Sequence, residues 1–176
     1  EIEACEPVNY DADGEIIYEI HYGNNLISYP LQTAQYLAEG LGSAAEYVYA
    51  LGGEGVAAIN SVDADGFVGS LTAFEGGNGY WLVATDDFSF SFNDTADDLD
   101  HVTIPPTVPG FSYTQSDQQA FFFVNSAKIN GEDLTNDDIV IAYNGDVVVG
   151  SRYWNGELTD IPAMGIDSDG GEMFTG

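Results

Sequence analysis

Basic side chains are almost missing from this sequence: Lys128 and Arg152 stand against thirty Asp and Glu in 176 residues, a formal net charge of −28. A chain so poor in cations has no positive field with which to neutralise phosphates, which argues against nucleic acid as a partner, and an anionic membrane surface repels it for the same reason. Cysteine is equally scarce. The single Cys5 excludes an internal disulfide and any thiolate metal site built within one chain; pairing with another chain stays open, against the reading of an unpaired thiol near a terminus. No apolar run approaches the length of a membrane span, so neither membrane insertion nor a signal peptide within these residues is expected. The first residue is Glu1 rather than Met, as expected of a processed or excised part of a longer chain.

Catalytic motifs are also missing. A nucleophile elbow needs G-x-S-x-G, which LGSAA, VGSLT and VGSRY do not supply. There is no H-E-x-x-H, and the two histidines, His21 and His101, lie far apart, with His21 on the polar side of an alternating segment. A glycosidase needs only two carboxylates, and nothing in the sequence singles out a pair among thirty. The Gly-rich stretches LGGEG and FEGGNGYW lack the lysine of a phosphate loop and read as turns. The expectation is a protein that is not an enzyme.

What is abundant is core-forming material. Apolar residues make up 44% of the chain, with eleven Tyr and ten Phe, so acidity does not prevent collapse here. The patterning is that of strands. In EIIYEIHY at 15–22, Ile16, Tyr18, Ile20 and Tyr22 alternate with Glu15, Glu19 and His21. LISYP, VAAI at 56–59, FVGSLTAF at 67–74, GYWLVAT at 79–85 and FSFSF at 88–92 read as further strands, as do AFFFV at 120–124, DIVIAY at 138–143 and DVVVGSRYW at 146–154. Asn130-Gly131, Asn144-Gly145 and Asn155-Gly156 signal hairpins or turns. The one helical region lies between residues 31 and 53, expected as two short turns broken near Gly40 and Gly42, with a capping box at Ser43 and Glu46.

The fold class expected is therefore mainly β, in two small modules: residues 1–93 with the helical segment, an acidic, Pro-containing linker at 94–109, and a β-sandwich at 110–176. No repeat relates the two.

Three acidic loops share a spacing: NYDADG at 9–14, SVDADG at 61–66 and GIDSDGG at 165–171. Asn9, Asp11 and Asp13 at alternate positions before Gly14 reproduce the first half of a calcium loop, although Ile20 stands where an EF-hand would place its bidentate Glu. Ser61, Asp63 and Asp65, and Asp167, Asp169 and Glu172, are the weaker counterparts. The competing reading is that Asp-Gly pairs only make tight turns. Calcium is the cofactor expected, and the charge makes screening by salt the alternative source of stability. Trp81 and Trp154 are candidates for stacking on sugar rings, against the reading that they close small cores.

Two stretches, HYGNNLISYPL with GEGVAA, FVGSLTAFEGGNGYW and FSFSF, then SYTQSDQQAFFFV with IVIAYNGDVVVGSRYWNG and DIPAMG, resemble tandem modules of large secreted or surface proteins of marine and environmental bacteria. The resemblance covers most of residues 20–170. It implies an extracellular or cell-surface location and a β-rich, non-catalytic role, and brings no catalytic residues. In such modules the chain continues past the DIPAMG region into further strands, so the second unit is expected to be short of strands and to expose a sheet edge. A strand donated by another chain closes such an edge. The donor expected is the segment carrying Ile16, Tyr18, Ile20 and Tyr22, with Cys5 placed to lock the junction. The function expected is thus a structural subunit of a fibre, surface layer or similar assembly that self-associates and is stabilised by calcium. The alternative is a carbohydrate-binding or adhesive module with glycans as partners.

Overall fold

A computed structural model describes residues 9–10, 14–94, 99, 102 and 104–166, with the side chains of 9 and 10 left out. Among these the chain is mainly β, in several small sheets with no closed barrel. In chain order the strands are β1 (Asn9–Tyr10), β2 (Ile16–Ile20), β3 (Gly23–Ser28), β4 (Gln35–Tyr36), β5 (Val48–Gly52), β6 (Ala57–Ser61), β7 (Gly66–Gly69) and β8 (Ala73–Phe74). They continue as β9 (Gly79–Ala84), β10 (Phe88–Phe90), β11 (Gln119–Val124), β12 (Lys128–Ile129), β13 (Glu132–Asp133), β14 (Ile139–Asn144), β15 (Val147–Tyr153) and β16 (Thr159–Met164). Helix α1 (Leu37–Leu41) runs into a 3₁₀ helix at Gly42–Tyr47, so the expected helical region is present and does change character at Gly42. The capping box is not used: Ser43 falls inside the 3₁₀ helix, and no side chain caps either helix. No helix of the described residues is long and apolar enough to cross a membrane.

The chain forms two compact units, but not at the expected boundary. One is Glu1–Leu51 with Ala73–Val102; the other is Gly52–Thr72 with Thr103–Gly176. The expected strand FVGSLTAF is accordingly split, β7 going to the second unit and β8 to the first. The described residues of 94–109 are not all free of the two units either. Leu99 donates its N–H to Ala34 O in the first unit, and Val108 is buried in the second.

The first unit is organised by aromatic packing. Strands β3, β9 and β5 lie side by side, and alternation along β9 sends Tyr80, Leu82 and Ala84 inward. Phe74 stacks on Tyr29 and meets Phe92 and Tyr80 edge-on, with centroids 5.0–5.4 Å apart. Around it, Leu37, Val48, Leu51 and Leu82 are almost completely buried. Gly40 fits closely where α1 crosses this cluster, since a Cβ there would lie 3.1 Å from Phe74 Cδ2 and the ring would have to give way. Strand β2 is held inside this unit, by β1 on one side and β10 on the other, and Tyr18 packs against Phe90 and Phe92.

The second unit is sandwich-like. Its hairpins are β6–β7, β12–β13 and β14–β15, and β11 pairs antiparallel with β16. Asn130 and Gly131 both adopt positive φ, the type I′ geometry that Asn-Gly favours. In β14–β15 the two-residue loop is Gly145-Asp146, with Gly145 left-handed. Thr135 donates its N–H and hydroxyl to Asp138 Oδ2, and these bonds hold the Asp138 carboxyl below its usual range. Strands β15 and β16 meet where Gly150 passes Pro162: a Cβ at 150 would collide with the Pro162 carbonyl.

One consequence follows for β11. Pro162 has no N–H, and Asp160 O is turned outward to accept from Arg152 Nε at 3.2 Å. Asp160 and Pro162 therefore sit at non-hydrogen-bonded pairs, opposite Phe123 and Phe121. The N–H and C=O of Phe121 and Phe123 then point to the other edge of β11, which no strand or hydrogen bond of the described residues occupies.

Candidate functional site

A cleft of about 820 Å³ opens in the second unit. Its base is a buried ion pair. Arg152 on β15 and Asp160 on β16 meet at 3.1 Å with side chains only 9% and 3% exposed, which puts the pair where removal of one partner is costly. Arg152 Nη2 also donates to Gly55 O at 2.9 Å and approaches Ser70 Oγ at 3.3 Å, while Ser70 Oγ donates to Asp160 Oδ2 at 2.6 Å. Burial pushes the Asp160 carboxyl above its ordinary range, against the opposing pull of Arg152 and Ser70. Tyr113 is pushed up by burial as well.

The cleft wall is set by the connection between β15 and β16. Trp154 N–H donates to Asp138 O, and Asn155 N–H donates to Thr159 Oγ1, which in turn donates to Gly156 O at 2.7 Å. Leu158 takes the left-handed conformation within this turn. Tyr153, Trp154, Pro105 and Pro106 supply apolar surface, and Asn136 and Asn155 supply amides. Glu157 stands exposed on the same wall. Its hydroxyls are already engaged: Ser70 donates to a carboxylate held by Arg152, and the buried Thr159 donates to Gly156 O. Sequence reading missed this cluster, because Gly55 and Ser70 are 97 and 82 residues from Arg152.

Of the residues singled out in sequence, Ser61, Asp63 and Asp65 lie at the tip of the β6–β7 hairpin, where Ser61 pairs with Gly66 and Asp65 is left-handed at φ 56°. Asp63 and Asp65 are exposed, and among the described residues no three His, Cys, Asp or Glu side chains converge as a ligand set. Asp11, Asp13, Asp167, Asp169, Glu172 and Cys5 lie outside the described residues, and Asn9 is described only in its backbone, as part of β1. Ile16, Tyr18 and Ile20 are occupied in β2, with Ile20 buried, and Tyr22 is exposed beyond its end. The two tryptophans part company: Trp154 is 6% exposed and lines the cleft, whereas Trp81 is 52% exposed beside Leu26 on the outer face of β9. No family model, curated protein or solved structure matches the chain.

Proposed function

We propose that the protein is a structural subunit of an extracellular or cell-surface assembly that associates through β-strand edges. The observation that carries this reading is the outer edge of β11, which no strand of the described residues occupies. QAFFFV is six residues long, has no charge and no proline, and presents the main-chain groups of Phe121 and Phe123 with Phe122 61% exposed. Edge strands of monomeric proteins are usually blunted by lysine, proline or a bulge, and this one is not. The proposed donor differs from the sequence expectation, because β2 is already paired within its own unit. A second copy of β11 can pair with the first about a two-fold axis, whereas any other donor strand gives a head-to-tail contact and a ring or fibre.

Charge sets the conditions. Two copies at −28 repel each other, and association requires screening by salt, whose Debye length is about 10 Å at 0.1 M, or neutralisation by a divalent cation. Calcium is the cation suited to the Asn9, Asp11 and Asp13 spacing. The test is sedimentation velocity and electron microscopy across salt and calcium. Association that grows with ionic strength or calcium, and is lost in Phe122→Lys and Phe123→Pro with the melting midpoint kept, is the expected outcome. A chain that stays monomeric throughout, or assembles equally well with both substitutions, removes the proposal.

A further inference from the structure

We infer that the cleft of the second unit binds a neutral saccharide, independently of any strand pairing. Its volume, about 820 Å³, falls within the roughly 300–1,000 Å³ of small-molecule sites and has room for a short oligosaccharide. The lining is two-sided in chemistry. Tyr153, Trp154, Pro105 and Pro106 offer flat apolar surface of the kind that covers the C–H face of a sugar ring, and Asn136 and Asn155 offer amide donors and acceptors to its hydroxyls.

Charge decides the class of guest. An anionic ligand meets Glu157 on the wall and a protein at −28. The one cation in the cleft, Arg152, is matched by Asp160 at 3.1 Å and gives no net positive charge to attract it. A cationic guest finds only Glu157, on the solvent-exposed wall, and no carboxylate in the base of the cleft, because Asp160 is committed to Arg152 and Ser70. What remains is an uncharged guest rich in hydroxyls. The site is also preorganised, since the Asn155–Thr159 turn and the Arg152 cluster are fixed by their own hydrogen bonds before anything enters.

The full chain is titrated calorimetrically with cellotriose, mannotriose, chitotriose and galactotriose, and with a trigalacturonate and a chitosan trimer as anionic and cationic counterparts. The expected result is binding of at least one neutral trisaccharide, with a Kd that stays within twofold between 50 and 500 mM sodium chloride. Asn155→Ala and Tyr153→Ala should each weaken it tenfold or more, while Trp81→Ala, in the other unit, leaves it unchanged. Melting curves establish that each variant is folded, and the exposed Asn155 carries the test if Tyr153→Ala is not. Absence of binding to all four neutral sugars, a preference for either charged trimer, or loss of binding in Trp81→Ala with Asn155→Ala unaffected overturns the assignment.

Discussion

Replacing Arg152 by Met removes the only cation from the buried cluster while keeping most of the side-chain volume, and leaves Asp160 with Ser70 as its remaining side-chain partner. Breaking a buried pair in this way costs about 3–5 kcal/mol. The structure also bounds the cost from above. Asp160 escapes the burial of an unpaired charge by taking up a proton, which at pH 7 requires about 4 kcal/mol for a carboxyl of unfolded pKa near 3.9, but only about 1.5 kcal/mol at pH 5. The deficit of Arg152→Met therefore shrinks on acidification. At about 4–8 °C per kcal/mol for a unit of this size, the midpoint of the second unit should fall by roughly 16–32 °C at pH 7 and by roughly 6–12 °C at pH 5. The wild-type sign agrees. Asp160 is raised in the folded state, so the folded chain holds more protons between its unfolded and folded pKa, and stability from this group falls as pH rises through that window. Asp160→Asn should lack that slope. The two units can unfold separately, so the experiment is best done in a Trp81→Phe background, where Trp154 fluorescence follows the second unit alone. A variant within 2 °C of its parent at pH 7, or a deficit that does not narrow at pH 5, would refute the reasoning.

Calcium should raise the melting midpoint above that in ionic-strength-matched sodium chloride, because a ligand bound only by the folded state adds RT ln(1 + [L]/Kd); equal midpoints would leave screening as the whole effect, and Asp11→Ala with Asp13→Ala should remove most of any difference. Gly150→Ala should cost about 1–3 kcal/mol or more, since its methyl group meets backbone rather than a side chain that can swing away; denaturant melts showing no change would mean that β15 and β16 are not in close contact there. Phe74→Ala should cost about 3–5 kcal/mol in the first unit and leave the Trp154 signal of the second in place.

The local signals in the sequence were legible and the long-range ones were not. Alternation in EIIYEIHY and the density of β-formers in GYWLVAT and AFFFV marked β2, β9 and β11, and Asn130-Gly131 marked a hairpin by its requirement for two positive φ values. These depend on neighbours a few residues apart. The grouping of Gly52–Thr72 with the carboxy-terminal strands depends instead on Ser70 reaching Asp160 and Arg152 reaching Gly55, contacts that leave no periodic trace. FVGSLTAF reads as one strand because all its residues suit a sheet, yet Ser70 is diverted to a carboxylate and the chain leaves β7 there. The Ser43 and Glu46 pattern failed for a related reason: the burial of Leu37 and Leu41 starts the helix earlier, so the capping pair falls inside it. Of the cleft, Trp154 alone was singled out from sequence as a candidate binding residue.

The two cations of the chain are both spent internally. Lys128 faces Asp133 across the β12–β13 hairpin at 2.6 Å, exposed and worth at most about 1 kcal/mol, and Arg152 is buried with Asp160. Neither is available to a partner as a free charge, so the exterior presents carboxylates with no Lys or Arg left to oppose them. Recognition by such a surface falls to groups without charge, or to ions that arrive with the solvent. The bare edge of β11 and the neutral lining of the cleft are uncharged features of that kind. On this view the acidity does not itself bind the partner but sets when binding can occur: main-chain pairing at β11 waits for salt or calcium to lower the repulsion, whereas a neutral sugar enters the cleft at any ionic strength. The two sites should therefore separate cleanly in a salt titration, assembly rising with ionic strength while saccharide affinity stays level, and a common salt dependence would show that one electrostatic mechanism governs both.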